Sequence, residues 1–385
     1  MTTKKEMSIY VHIPFCVKKC LYCDFLSAPA SDTIQHAYVQ ALLQQIQEQA
    51  GEYNDYRVPS IFIGGGTPSV LPAEDIAAIL HGLHRSFQVD GDAEITIEVN
   101  PGTLTEKQAW LYQQAGINRI SIGVQSTHNT ELAELGRIHT YEDVLQTLSM
   151  VRMTGIENVN LDIMSALPGQ TLSAYRTTLE RIVQLHPTHI SSYSLIIEEG
   201  TPYYDRYAVM GTNSSHQYPS LPEEDTDRTM YELTKTILLE AGYERYEISN
   251  YAQKGQRCRH NIRYWERENY LGLGIGAASL MENVRWSQTR DLSLYLQGNY
   301  ARCEQENLTR QAQMEEFMFL GLRMMCGIQT KKFDALFGVS YDSVYGALTA
   351  RMVKQQLLNR SLEGQIQLTD RGIDLSNSVL SEFLL

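Results

Sequence analysis

The sequence is poor in long apolar runs, in basic residues and in cysteine. No apolar stretch approaches the roughly 20 residues that a membrane-spanning helix needs, and the N-terminal segment MTTKKEMSIY lacks the apolar core of a signal peptide. The 32 Lys and Arg are outnumbered by 45 Asp and Glu, and the formal net charge of −13 disfavours non-specific attraction to nucleic acid or anionic lipid. We therefore expect a cytoplasmic protein that does not bind nucleic acid.

Six cysteines in 385 residues are too few for a disulfide scaffold, yet three of them stand close together. Cys16, Cys20 and Cys23 form a C-x-x-x-C-x-x-C pattern directly after a predicted strand. The other three cysteines are scattered along the chain, at Cys258, Cys303 and Cys326. We interpret the scattered ones as buried structural thiols.

Strand-like and helix-like segments alternate through the first half of the chain. The sequence predicts strands at 8–15, 58–66, 93–100, 119–126, 158–169 and 189–197. Helical spacing of apolar residues predicts the intervening helices at 32–50, 72–84, 105–116, 140–155 and 172–185. Six β/α repeats of this kind favour a parallel sheet with crossover helices.

The two faces of the predicted strands differ in polarity. In the third strand Ile95, Ile97 and Val99 share one face, whereas Thr96 and Glu98 share the other. A sheet covered by helices on both sides would be apolar on both faces. The polar face therefore favours a barrel-like curve around a ligand, with the site at the C-terminal ends of the strands. Six units, rather than eight, predict a partial (β/α)6 barrel with a wide mouth.

The second half of the chain follows a different pattern. A polar segment at 211–225 predicts a surface loop. From about residue 311 three helices and a β-wing predict a C-terminal α+β, winged-helix-like domain. We accordingly predict an α/β protein in three parts, which are a partial barrel at 1–235, a connecting α/β region at 236–310 and the C-terminal domain at 311–385.

The cysteine triplet has three chemical interpretations. A structural zinc site requires four ligands, and the only candidate for the fourth is His12, on the inward face of the first strand. A redox dithiol at Cys20 and Cys23 leaves Cys16 unexplained. An iron–sulfur cluster uses all three thiolates and leaves one of four irons open, as a catalytic metal site keeps a position for its substrate. We therefore favour the cluster.

The triplet after a first β-strand resembles the signature of the radical S-adenosylmethionine (radical SAM) superfamily. That resemblance implies a [4Fe-4S] cluster at Cys16, Cys20 and Cys23, with SAM bound to the open iron through its amino and carboxylate groups. In catalytic members the reduced cluster cleaves SAM to methionine and a 5′-deoxyadenosyl radical. It also implies the partial (β/α)6 barrel that the strand pattern predicts.

Motifs at the ends of the other strands are consistent with this resemblance. The segment GGGTPS at 64–69 resembles the glycine-rich element that receives the SAM amino group. Inward carboxylates and amides can hydrogen-bond ribose hydroxyls or the amino group, and an arginine can pair with the SAM carboxylate. The residues assigned to SAM in this way are Tyr10, Gly65, Gly66, Thr67, Glu98, Gln125, Arg137 and Asp162.

The order of these motifs is similar to that in oxygen-independent coproporphyrinogen III oxidases, with two departures. The oxidase has a fourth cysteine two positions after the triplet, where this chain has Phe25, and it carries an N-terminal extension that is missing here. Both differences disfavour the oxidase's decarboxylation of coproporphyrinogen III. In both respects the chain resembles a sister group, the HemW heme chaperones. That resemblance implies heme binding and delivery of heme to respiratory or other heme proteins.

The segment HNIRYW at 260–265 is similar to an element of the same sister group. His260 is a candidate axial ligand of heme iron, with Cys258 as a thiolate alternative, and Tyr264 and Trp265 are candidates for packing on a porphyrin face. A loop anchored by a buried Trp and a hydrogen-bonded His is the other interpretation.

Two rival functions stay open at this point. One is coproporphyrinogen oxidase or another radical SAM enzyme. The other is a heme-binding module whose cluster serves assembly, dimerisation or redox sensing. The sequence assigns no catalytic residue, and it leaves open a homodimer and a peripheral membrane association through the heme-receiving protein.

Overall fold

The computed structural model describes residues 4–209 and 218–385. Its strands are β1 (Lys5–Glu6), β2 (Ser8–Ile13), β3 (Tyr56–Gly65), β4 (Gln88–Val99), β5 (Arg119–Gln125), β6 (Asn158–Ser165), β7 (His189–Ser194), β8 (Glu244–Arg245), β9 (Asn250–Ala252), β10 (Tyr270–Leu273), β11 (Ala278–Met281), β12 (Val284–Gln288), β13 (Arg302–Asn307), β14 (Ile328–Gln329), β15 (Leu358–Arg360) and β16 (Gln365–Leu368).

The helices alternate with these strands and then dominate the C-terminal part. They are α1 (Asp32–Gln49), α2 (Ala73–Ser86), α3 (Glu106–Gln114), α4 (Asn129–Glu134), α5 (Tyr141–Met153), α6 (Leu172–Gln184), α7 (Pro202–Tyr204), α8 (Glu224–Glu240), α9 (Arg259–Trp265), α10 (Leu292–Leu296), α11 (Arg310–Gly321), α12 (Thr330–Phe337), α13 (Tyr341–Val344), α14 (Gly346–Lys354), α15 (Asp370–Asp374) and α16 (Ser376–Ser381). Of the predicted loop at 211–225, residues 211–217 lie outside the described ranges, and α8 begins in its last part.

Strands β2 to β7 form the predicted parallel sheet in chain order. Their apolar face packs into one core, in which Ile95, Ile97 and Val99 of β4 are almost fully buried. Tyr112 of α3 and Leu148 of α5 belong to the same core. The partial-barrel fold is therefore confirmed, and its crossover helices place the C-terminal ends of six strands at one mouth.

The sheet extends beyond these six strands on both sides. At one edge β9 and β8 add antiparallel strands to β7. At the other, β10 pairs in parallel with β2, and β11, β12 and β13 continue the sheet as antiparallel strands. The connecting region thus belongs to the same sheet as the barrel, an extension that the β/α repeat does not predict.

The C-terminal part is the predicted helical unit with a small β-wing. Strands β14, β16 and β15 form a separate sheet, and an aromatic cluster that includes Phe317, Phe333 and Phe383 fills a second core. This unit contacts the connecting region where the Met325 amide donates a hydrogen bond of 2.9 Å to the Tyr246 carbonyl. The boundaries of the three parts stay predictions, since α8 continues through position 235.

The scattered cysteines differ from one another in exposure. Cys258 is buried as predicted, but Cys303 is partly exposed on strand β13 and Cys326 is exposed in the turn before β14. The prediction of three buried thiols was therefore wrong for two of them, because one lies at a sheet edge and the other in a surface turn. Across 4–209 and 218–385 we found no helix with the length and apolarity needed to cross a bilayer.

Candidate functional site

A cavity of about 300 Å³ opens at the C-terminal ends of the parallel strands. The predicted cluster and SAM residues that line it are Cys16, Cys20, Cys23, Gly65, Gly66, Thr67, Glu98, Gln125, Arg137 and Asp162. Two predicted residues, Tyr10 and His260, line a different cavity. The structure therefore brings together the proposed cluster ligands and all of the predicted SAM residues except Tyr10.

The cysteine loop, which we define as residues 14–31, is fixed by hydrogen bonds to the elements around it. The Cys16 amide donates to the Ala28 carbonyl at 3.3 Å, and the Leu21 amide donates to the Leu135 carbonyl at 3.1 Å. His12 lies beneath the loop, with Nε2 at 2.9 Å from the Leu26 carbonyl oxygen. Its other nitrogen lies 3.0 Å from a tyrosine hydroxyl, so both ring nitrogens already have partners, which disfavours His12 as a fourth zinc ligand.

The three thiols line one cavity and are of the type that binds an iron–sulfur cluster. All three are free; burial raises the pKa of Cys16 and Cys23, which opposes the thiolate form until a metal centre binds and stabilises it. Among the described residues, no three His, Cys, Asp or Glu side chains converge tightly enough to hold one metal ion. In a cluster each thiolate binds a different iron, so the cysteines stand further apart than ligands of one ion.

The glycine-rich turn after β3 allows very close backbone contact with the cysteine loop. A Cβ atom on Gly66 would lie 2.4 Å from the Phe15 carbonyl oxygen. Gly65 adopts a φ of +116°, which favours glycine, and its amide donates a 3.0 Å hydrogen bond to Glu98. The amino group of a ligand donates hydrogen bonds, and backbone carbonyl oxygens such as those of this turn can accept them.

Two carboxyl groups line the floor of the cavity. Burial and the neighbouring Asp162 raise the pKa of Glu98 to about 8, although the hydrogen bond from the Gly65 amide opposes the shift. Burial also raises the pKa of Asp162, against hydrogen bonds from Asn160 at 2.7 Å and Ser121 at 3.1 Å. Carboxyl groups that burial makes reluctant to ionise would be stabilised as anions by a cationic ligand.

Arg137 connects the SAM residues to the cysteine loop. Its Nη1 donates towards Cys20 Sγ at 3.6 Å, and its Nη2 donates to Asn100 at 3.1 Å and to the Gly123 carbonyl. Asn100 in turn donates to the Thr67 hydroxyl at 2.7 Å. The guanidinium is therefore held in place beside a proposed cluster ligand.

A bulge in β5 sets the direction of the Gln125 side chain. The pairing of β5 with β6 shifts register between Gly123 and Gln125, and Gln125 adopts a left-handed φ of +66°. Such a backbone conformation costs a non-glycine residue about 1–3 kcal/mol and is common at functional sites. The side-chain Oε1 accepts a hydrogen bond of 3.1 Å from the Tyr193 hydroxyl.

Sequence reasoning missed four polar residues of this site. They are Asn100, Ser121, Asn160 and Tyr193. Asn100 and Asn160 lie two positions from Glu98 and Asp162, so the alternation along those strands was the signal that could have found them. Ser121 precedes Gln125 by four positions on β5, and Tyr193 lies on β7, where no site residue was predicted.

The predicted heme element lies beside a second cavity of about 420 Å³, which is lined largely by aromatic rings. Tyr10, Phe62, Tyr264 and Tyr270 contribute those rings, and Glu98 borders both this cavity and the cysteine cavity. Tyr10 thus lies next to the predicted SAM site, beside Glu98 and with its hydroxyl 3.0 Å from the Nδ1 of His12, whose ring packs against Gly65.

Hydrogen bonds at both ring nitrogens hold His260 in place. Its Nδ1 lies 3.0 Å from the Ser60 hydroxyl and its Nε2 lies 3.1 Å from the Tyr264 hydroxyl. The ring is 1% exposed, and burial lowers its pKa to about 3, so it stays neutral. Ligation of heme iron by His260 would require one of these bonds to break, and it stays a prediction.

The start of α9 is anchored in the same way. The Glu94 carboxylate accepts the amides of Arg259 at 2.9 Å and His260 at 3.0 Å. Cys258 is fully buried beside Glu94, and burial raises its thiol pKa to about 12, which disfavours the thiolate that heme ligation requires. Trp265 packs under the Arg323 guanidinium, 4.5 Å from the ring centre. The hydrogen-bonded His260 matches the interpretation of the element as a structural anchor, although the element is a helix instead of a loop and Trp265 is only half-buried.

Two parts of the chain match known protein families, and the whole chain is similar to known proteins. The family model described as Radical SAM superfamily matches residues 10–182, and that described as HemN C-terminal domain matches residues 308–375. The heme chaperone HemW of Lactococcus lactis is 34% identical over 99% of this chain and 98% of its own length. HemW of Escherichia coli is 34% identical over the full length of both chains.

One solved structure shares the fold over almost the whole chain. Coproporphyrinogen III oxidase (HemN) from Escherichia coli superposes with a TM-score of 0.84 over 99% of this chain and 90% of the oxidase. At 23% identity the superposition is evidence for the fold alone.

Proposed function

Because this chain belongs to the HemW family of the radical SAM superfamily, we propose that it is a heme chaperone, which binds a [4Fe-4S] cluster, SAM and heme and delivers the heme to respiratory or other heme proteins. The observation that carries the proposal is the likeness to heme chaperones over the full length of the chain. The cavity at the strand ends supports the cofactor part, since free thiols and paired carboxyls meet there.

We assign the cofactors to the residues of the cysteine cavity. Cys16, Cys20 and Cys23 hold the cluster, which when bound supplies an open iron and one-electron reduction. Arg137 and the glycine-rich turn face the amino-acid end of SAM, and the inward polar side chains hydrogen-bond the remainder. The SAM set is Gly65, Gly66, Thr67, Glu98, Gln125, Arg137 and Asp162, with Tyr10 kept as a more distant candidate.

The alternative function, coproporphyrinogen III oxidase, is supported by the fold, but this chain lacks the oxidase's fourth cysteine. Phe25, at the place of the oxidase's fourth cysteine, is 61% exposed at the rim of the cavity, so that position offers an aromatic surface instead of a thiolate. We therefore rank the chaperone function above decarboxylation of coproporphyrinogen III.

The test is anaerobic cluster reconstitution followed by two assays on the same full-length protein. Heme titration should give a saturable Soret band, and coproporphyrinogen III with SAM and a reductant should give no decarboxylated product. Absence of saturable heme binding, or robust product formation, would contradict the proposal.

A matched pair of cysteine variants tests the cluster assignment. Cys20→Ser should lower the iron bound per chain and the cluster absorbance, because it removes one of three ligands. Cys326→Ser removes an exposed thiol of the C-terminal unit and should leave both unchanged. Equal iron content in the two variants would refute the assignment.

The remaining parts of the proposal concern location and partners. The negative charge and the absence of a membrane-spanning helix in the described ranges support a cytoplasmic protein without nucleic-acid contacts. We propose that any membrane association occurs through the heme-receiving protein. Gel filtration of the reconstituted protein tests the homodimer.

A further inference from the structure

The rim of the cysteine cavity carries apolar side chains that the fold leaves exposed. Phe25 is 61% exposed and Ile196 66%, and both line the cavity. Val17 and Ile138, each 56% exposed, line a small adjoining cavity that shares Cys20 with the first. Large apolar side chains that are grouped on a surface, instead of scattered singly, mark binding sites.

Charged groups border this apolar rim. Lys18 and Lys19 lie on the cysteine loop, line the same cavity and are exposed to solvent. Lys19 Nζ also donates to the Phe25 carbonyl at 2.9 Å, which keeps its ammonium close to that ring. Asp24 and Glu198 stand at the rim as well, so the attraction for anions is local to the two lysines.

We propose that heme docks across this mouth, with its macrocycle against Phe25 and Ile196 and its propionates towards Lys18 and Lys19. Heme is a flat apolar plate with two carboxylates at one edge, and the rim offers a matching arrangement of apolar surface beside ammonium groups. The inference rests on the proposed heme binding and adds the site at which it occurs.

The dimensions of the cavity argue for docking across the mouth instead of inside it. The volume of about 300 Å³ is at the lower end for a site that encloses a small molecule, and SAM is assigned to it. A macrocycle would therefore lie over the opening and cover the exposed ring of Phe25. An aromatic ring that packs on a porphyrin face gains both apolar burial and ring–ring contact.

The alternative location near α9 is less favourable for two reasons. His260 would have to give up a hydrogen bond with Ser60 or Tyr264 before it could bind iron. The burial that keeps the ring 1% exposed would also have to be undone. The rim requires neither rearrangement.

The experiment is a heme titration of the full-length, cluster-loaded protein, followed through the Soret band. Phe25→Ser and Ile196→Ser should each weaken heme binding about tenfold, because each removes most of one apolar contact. Leu362→Ser is the matched control, since Leu362 is a fully exposed leucine at the turn between β15 and β16, and it should bind heme as the unmodified chain does. Ile196 lies outside the cysteine loop, so its variant keeps the test decisive if Phe25→Ser loses its cluster.

The charged part of the site has its own measurement. Replacing Lys18 and Lys19 together by Gln should weaken heme binding and reduce its dependence on salt concentration. Unchanged affinity in all of the rim variants, with the unmodified chain still binding heme, would overturn the docking site, and loss of binding in His260→Ala alone would move it to α9. Failure of the unmodified chain to bind heme would instead refute the proposed function.

Discussion

Replacing Glu98 by Gln probes the electrostatics of the cysteine cavity most directly. Burial and the nearby Asp162 raise the pKa of Glu98 to about 8, so without a cationic ligand its carboxyl is mostly protonated at neutral pH. SAM is a sulfonium cation, and if Glu98 binds it as a carboxylate, Glu98 must lose that proton on binding. SAM should then bind more tightly as the pH rises, up to about pH 8.

The size of the effect follows from that pKa. At pH 7 a group with a pKa of about 8 is about nine-tenths protonated, so SAM binding should release close to one proton. Below pH 8 the affinity should rise about tenfold per pH unit. The Glu98→Gln variant cannot release that proton, and its weaker affinity should vary less with pH.

Anaerobic isothermal titration calorimetry of the cluster-loaded protein measures both quantities. Titrations in two buffers that differ in ionisation enthalpy give the number of protons released. Glu306→Gln, which changes an exposed carboxylate on β13, is the matched control and should behave like the unmodified chain. Proton release that is the same with Glu or Gln at position 98 would refute the reasoning.

Three further substitutions test individual contacts. Gly66→Ala places a methyl group 2.4 Å from the Phe15 carbonyl oxygen and should lower the free energy of unfolding by about 1–3 kcal/mol, with less iron bound after reconstitution; unchanged values for both would contradict the close packing. Asn100→Ala removes an acceptor of Arg137 and should weaken SAM binding about tenfold at normal iron content, and equal affinity would exclude a positioning role. His260→Ala should lower the free energy of unfolding by about 2–4 kcal/mol in urea denaturation, because it removes a buried ring that makes two hydrogen bonds. The variant should keep the Soret band of bound heme, and loss of that band in a folded variant would restore His260 as a heme ligand.

The parallel strands and the cysteine cavity could be predicted because their signals are local. Alternation of Ile95, Ile97 and Val99 with Thr96 and Glu98 reports directly which face of the strand packs into the apolar core. Since parallel strands end at the same side of a sheet, residues from different strand ends could be predicted to meet at one mouth.

Other features depend on contacts between distant segments, which no local pattern encodes. Asn100 is in phase with Glu98, but its role in holding Arg137 follows only from Arg137 and Thr67, which reach it from other loops. His260 looks like a free ligand in the sequence, whereas Ser60, two hundred positions earlier, holds its Nδ1. In both cases a side chain's partner, and not its own type, determines what it does.

The position of β2 has a consequence for how the chain folds as it is synthesised. Its partner on one side, β3, follows soon after, but its partner on the other side, β10, begins only at Tyr270. Until that residue has left the ribosome, the strand that precedes the cysteine loop presents unpaired amide and carbonyl groups along one edge. We therefore expect fragments that end before β10 to aggregate and to retain iron poorly. We also expect correct insertion of the cluster to begin only after most of the chain has been synthesised.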